Sequence, residues 1–126
     1  MKKTPLAVNG SLMRGLALNG NLLDAGAEFS HEAKTSANYR LWSIDDSYPL
    51  MIRDEDIGKM IDLEVWDLSP TGLVEVVEKE PPGLCLGKIE LQNGEWIFGV
   101  LGEPYFSKDR EEITSWGGWR NYIDQK

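Results

Sequence analysis

Pro81-Pro82-Gly83 is the strongest constraint in the chain, because neither a helix nor a central strand runs through two prolines and a glycine. On its near side, Ser69 offers a helix cap with Pro70 at the first helical position, and Leu73, Val76 and Val77 supply an apolar stripe. On its far side, Leu84–Leu91 and Trp96–Leu101 are apolar runs joined by Gln92-Asn93-Gly94-Glu95, a strong hairpin signal. A helix stopped abruptly before a hairpin implies an α+β fold.

The remaining elements follow from periodicity. Leu6–Gly15 is an apolar run entering Asn-Gly-Ser, which reads as a buried strand ending at a tight loop. Asn19–Gly26 reads as a short helix, with Asn19 as its cap and Gly26 as its stop. Glu28–Lys34 is a weakly alternating strand, whereas Tyr39–Ile44 alternates well. Met60–Leu68 is the clearest strand, with Ile61, Leu63, Val65 and Asp67 on one face and Asp62, Glu64, Trp66 and Leu68 on the other. Ile113–Tyr122 reads as a turn followed by a short helix carrying Trp119 and Tyr122.

The 126 residues suit a single domain, 1–126, with one core. A net charge of −8 argues against a nucleic-acid backbone and against an anionic membrane surface as partner. No segment has signal-peptide or transmembrane character, and the lone Cys85 permits no internal disulfide, so a cytoplasmic location is expected. One histidine, His31, and one cysteine at distant positions make no metal signature, and no cofactor motif is present.

Two features could carry chemistry. The first is the loop after the opening strand, where the N–H groups of Gly10, Ser11 and Leu12 lack a sheet partner and could form an anion-binding nest, with Arg14 near enough to add a guanidinium. An ordinary turn with a surface arginine is the plainer alternative. The second is the carboxylates. Glu75 and Glu78 read as a solvated helix face, whereas Glu80, just before Pro81, could turn inward, gain a raised pKa and shuttle a proton near neutrality. Glu103, at a strand end before Pro104, is the other candidate.

Several stretches also resemble a known family. Gly15-Leu16-Ala17-Leu18-Asn19, Tyr39-Arg40-Leu41, Glu64-Val65-Trp66-Asp67-Leu68 and Gly99-Val100-Leu101-Gly102-Glu103-Pro104 occur here in the order of the allophanate hydrolase C-terminal domain. The most specific match is Ile113-Thr114-Ser115-Trp116-Gly117-Gly118-Trp119-Arg120-Asn121-Tyr122. The opening loop, Asn9–Gly15, resembles the Tyr-Gly-Ser loop of the wider γ-glutamylcyclotransferase-like superfamily, with Asn9 in the tyrosine's place. The resemblance implies a small mixed β-barrel with flanking short helices and a cavity beside that loop. It also implies a small anionic metabolite as ligand: an N-carboxycarbamate-like or a γ-glutamyl-like amine of nitrogen metabolism.

Residue roles transfer unevenly. Family members credited with breaking down N-carboxycarbamate carry a loop histidine, and Leu12 stands in its place here. The cyclotransferases use a glutamate late in an acidic helix, and Glu80 falls on that position, although Pro81 replaces the usual glycine. The enzymatic reading therefore assigns proton transfer to Glu80 and binding to Asn9, Gly10, Ser11, Leu12, Arg14 and Glu103. A second reading is a non-catalytic module that binds an amidase or a metabolite, since no amidase signature accompanies it. A third is a homodimer formed through the Trp-rich C-terminal segment.

Overall fold

The computed structural model describes residues 2–126. Its centre is β1 (Thr4–Val8), whose Leu6, Ala7 and Val8 are all buried. β1 pairs antiparallel with β5 (Asp62–Leu68) and parallel with β7 (Trp96–Gly102). With β2 (Glu28–Lys34) and β6 (Leu84–Glu90) at the edges, these strands form a five-stranded sheet of order β2-β5-β1-β7-β6. A second sheet, of order β4-β3-β8, contains β3 (Tyr39–Ile44), β4 (Tyr48–Arg53) and β8 (Glu111–Glu112). The parallel pair cannot be read from the chain, because it joins segments at opposite ends of the sequence.

The sheets are not closed into the barrel that the resemblance implied. Just past the ends of β2 and β6 the chain forms one isolated bridge, Thr35 with Leu91, supported by Gln92 N–H donating to the Lys34 carbonyl at 2.9 Å. No ladder joins the two strands along their length. β2 is exposed almost throughout, and a register shift between Phe29 and His31 interrupts its pairing with β5. A charged, bulged strand is a poor template for another partner.

The helices pack against this frame. In α2 (Pro70–Glu78) the Ser69 hydroxyl accepts from Gly72 N–H at 3.1 Å, which satisfies one of the first-turn donors. In α1 (Asn19–Asp24) the cap position falls on Leu18, not Asn19. The Asn19 amide instead donates to the Leu12 carbonyl at 2.8 Å, so the residue expected to begin a helix braces the opening loop. Gly26 has φ +79, the left-handed conformation of a helix stop. In α3 (Trp119–Ile123) the Trp119 and Tyr122 rings lie 5.6 Å apart and both are buried, which assigns them to the core rather than to an interface.

Candidate functional site

Residues 9–18 leave β1 as a series of turns, and their hydrogen bonds are one-sided. The Gly10 carbonyl accepts from Met13 N–H (3.0 Å), the Ser11 carbonyl from Leu18 N–H (2.9 Å) and the Leu12 carbonyl from the Asn19 amide (2.8 Å). Among the described residues, none accepts from the N–H groups of Gly10, Ser11 or Leu12. Three carbonyls are thus engaged, while the three neighbouring N–H donors have no partner among the described residues.

Gly10 is required here by a close approach. A Cβ would collide with the Pro49 ring, coming within 2.7 Å of its Cγ. Asn9 is buried, and its amide donates to the Val100 carbonyl at 3.0 Å, tying the loop to β7.

Beside this loop is a cavity of about 120 Å³, lined by Asn9, Gly10, Ser11 and Leu12 on one side and by Glu80, Pro81 and Leu84 on another. Tyr48 and Pro49 of β4 also line it. Glu80 lies just past the C-cap of α2, where its N–H donates to the Val77 carbonyl at 3.1 Å, and Pro81 stops the chain from continuing outward as helix. Burial pushes its carboxyl up to about 7, so near neutrality the group is divided between acid and carboxylate. The Tyr48 hydroxyl is raised too, first by burial and then by the charges of Asp45 and Glu80 against the opposing Arg110.

Two of the expected site residues lie elsewhere. Arg14 does not line this cavity. Its guanidinium donates to Glu64 at 3.2 Å and to Glu32 at 2.7 Å, and it stacks 3.8 Å from the centre of the Phe29 ring. Glu103 is exposed at the start of the 3₁₀ turn Pro104–Ser107 and does not line the cavity either. Tyr48 went unnoticed in the sequence, because only the packing of β4 against β7 and of Pro49 against Gly10 brings it beside the opening loop. Glu64 also escaped notice. Alternation placed it on a strand face, yet it is 2 % exposed and accepts from Arg14 N–H, Arg14 Nε, Trp66 Nε1 and Arg120 Nη2. Desolvation pulls its pKa up, but those hydrogen bonds prevail and hold its carboxyl below the usual range.

A larger hollow, about 430 Å³, lies beside β2 and α3 and is lined by Met13, Glu32, Lys34, Glu64 and Arg120 among others. It contains neither Glu80 nor the free loop amides. No group of histidine, cysteine, aspartate and glutamate side chains among the described residues is arranged to hold a metal ion. No helix among them is long and apolar enough to cross a membrane.

Comparison with known proteins places this geometry in context. Residues 4–124 match the allophanate hydrolase C-terminal domain. The chain is 33% identical over 126 residues to the urea amidolyase of Lachancea kluyveri, an alignment covering 94% of this chain and 7% of that protein. It thus spans about 7% of the length of the curated relatives it matches. The crystal structure of a uropathogenic E. coli-specific protein superposes with a TM-score of 0.96 at 45% identity, covering 100% of this chain and 99% of that one. The allophanate hydrolase of Kluyveromyces lactis superposes at 0.92 with 29% identity, covering 99% of this chain and 22% of that one. A γ-glutamyl cyclotransferase, at TM-score 0.55 and 14% identity over 88% of this chain and 70% of that one, shares the fold.

Proposed function

The chain belongs to the allophanate hydrolase C-terminal domain family, and on that premise we propose that it binds a small carboxylated or acylated amine beside the opening loop and moves a proton on it through Glu80. The observation that carries this reading is a carboxyl with a pKa of about 7 sharing a cavity with three N–H groups that have no protein partner. The N–H groups hold a carboxylate or a developing oxyanion, and Glu80 supplies or removes the proton. Leu12, standing where credited family members have a histidine, exchanges no proton, so the duty rests on Glu80.

The two substrate types ask opposite things of that group. With an N-carboxycarbamate, one carboxylate sits on the loop amides while protonated Glu80 gives its proton to the nitrogen. The bond from nitrogen to the other carboxylate then breaks, releasing carbon dioxide and leaving carbamate. With a γ-glutamyl amine, ionised Glu80 takes a proton from the attacking α-amine and returns it to the leaving amine, while the amides hold the oxyanion. The cavity's size favours the compact substrate, since 120 Å³ is below the roughly 300–1,000 Å³ of ordinary ligand pockets. Relatives that carry the domain within a urea amidolyase or an allophanate hydrolase support an amidase as the upstream source of such a substrate.

The test is Glu80→Gln, assayed for carbon dioxide release when an allophanate-cleaving amidase generates the substrate in situ, and for 5-oxoproline release from γ-glutamyl amines. A folded variant whose turnover falls by about 10²-fold or more supports the reading. Equal rates in variant and wild type eliminate it.

A further inference from the structure

The opening loop is pinned at both ends. At the near end the Asn9 amide holds the Val100 carbonyl. At the far end both backbone groups of Arg14 are taken by side chains distant in sequence. Its N–H donates to Glu64 Oε1 at 2.9 Å, and its carbonyl accepts from Arg120 Nη2 at 3.0 Å. The same Arg120 nitrogen reaches Glu64 Oε2 at 3.2 Å, which closes the clamp.

Within β5 the Glu64 carboxylate accepts from the indole N–H of Trp66 at 3.1 Å, and its remaining partners are Arg14 in the loop and Arg120 in α3. An ion pair between a buried carboxylate and half-exposed guanidinium groups confers little net stability, but it fixes which groups sit where. What this one fixes is the end of the segment that carries the free N–H groups. We infer that Glu64 and Arg120 are positioning residues, which set the direction of the Gly10, Ser11 and Leu12 N–H groups by holding the backbone of Arg14. The role rests on the reading of that loop as a carboxylate-binding element.

The clamp reaches the site through a short path. Between Arg14 and the free amides lies only Met13, whose N–H closes the turn onto the Gly10 carbonyl. Neither Glu64 nor Arg120 lines the cavity, so their loss should impair binding and leave the proton transfer at Glu80 intact. The experiment compares Arg120→Ala, Arg120→Lys and Glu64→Gln with wild type. Its readouts are the amide resonances of Gly10, Ser11 and Leu12, the affinity for acetate as a carboxylate probe, and the separate KM and kcat values.

With a substrate whose carboxylate sits on the loop amides, Arg120→Ala is expected to displace those three resonances, weaken acetate binding about tenfold and raise KM by a similar factor, with kcat held within about twofold. Arg120→Lys should restore part of the affinity, since an ammonium can still donate to the Arg14 carbonyl or to Glu64. Should Arg120→Ala fail to fold, Glu64→Gln, which keeps the shape and removes the charge, is expected to show the same displacement. Unmoved loop resonances with unchanged acetate affinity in a folded variant overturn the inference. If wild type itself neither binds acetate nor turns over substrate, the reading of the cavity fails. The displacement of the loop resonances in the variants then still decides for or against the clamp.

Discussion

Replacing Glu80 by glutamine should stabilise the protein above neutral pH while removing its proposed chemistry. The ordinary carboxyl value of 4.5 applies to the unfolded chain, and burial raises the folded value to about 7. Between those two values the unfolded chain has lost the proton and the folded one keeps it, so this residue's contribution to stability falls as pH rises. Above about pH 7 both states are ionised, and wild type carries the full cost of a desolvated charge. A difference of that size corresponds to at most about 3 kcal/mol, because water reaching the half-buried side chain lowers it. Glutamine has nearly the same shape and no charge. Urea unfolding of both proteins between about pH 5 and about pH 8 measures the effect, since every other titrating group is common to both. The stability gap should be about 1 kcal/mol at about pH 5, where the unfolded carboxyl has begun to ionise, and approach about 3 kcal/mol at about pH 8, a midpoint shift on the order of 1 M urea. A gap that does not change with pH would refute the claim that Glu80 is held neutral by burial.

The pH profile of kcat/KM should separate the two proposed substrate types. Activity that falls above about pH 7 marks Glu80 as the acid, and activity that rises there marks it as the base. Gly10→Ala should lose about 1–3 kcal/mol in a denaturant titration, because its Cβ would meet the Pro49 ring and a proline cannot swing aside. Ser69→Ala should cost about 1 kcal/mol by the same measurement, through the first-turn N–H of Gly72 left without its acceptor.

Much of the frame was legible because its signals are local. Ser69-Pro70 and Pro81-Pro82 bracket α2, and Asn93-Gly94 joins β6 to β7, with Gly94 at φ +90 as the turn requires. The opening loop was legible for the same reason, since Asn-Gly-Ser after an apolar run announces a turn wherever it occurs. The misreadings arose where tertiary contacts outweigh local preference. Asn19 is a good cap by type, but the helix already begins at Asn19 with Leu18 at the cap, and the Asn19 side-chain amide is turned to the Leu12 carbonyl. Arg14 is close to the loop in sequence, yet Glu64 and Glu32 draw its guanidinium away from the cavity. Alternation along β5 placed Glu64 on a face but gave no sign of its burial, whereas a strand with neighbours on both sides, packed on both faces, buries Glu64 as well as Val65. The barrel failed on an edge property, because the bulge of β2 is invisible until its partner is known.

The central claim is that the N–H groups of Gly10, Ser11 and Leu12 hold a small anion in the presence of Glu80. Titration with a small monocarboxylate, followed through those three amide resonances at about pH 6 and about pH 8, tests it most directly. The expected result is a saturable shift confined to these residues and their cavity neighbours, and weaker binding at the higher pH, where ionised Glu80 repels the ligand. Resonances that stay fixed while the ligand is raised to millimolar excess would contradict it.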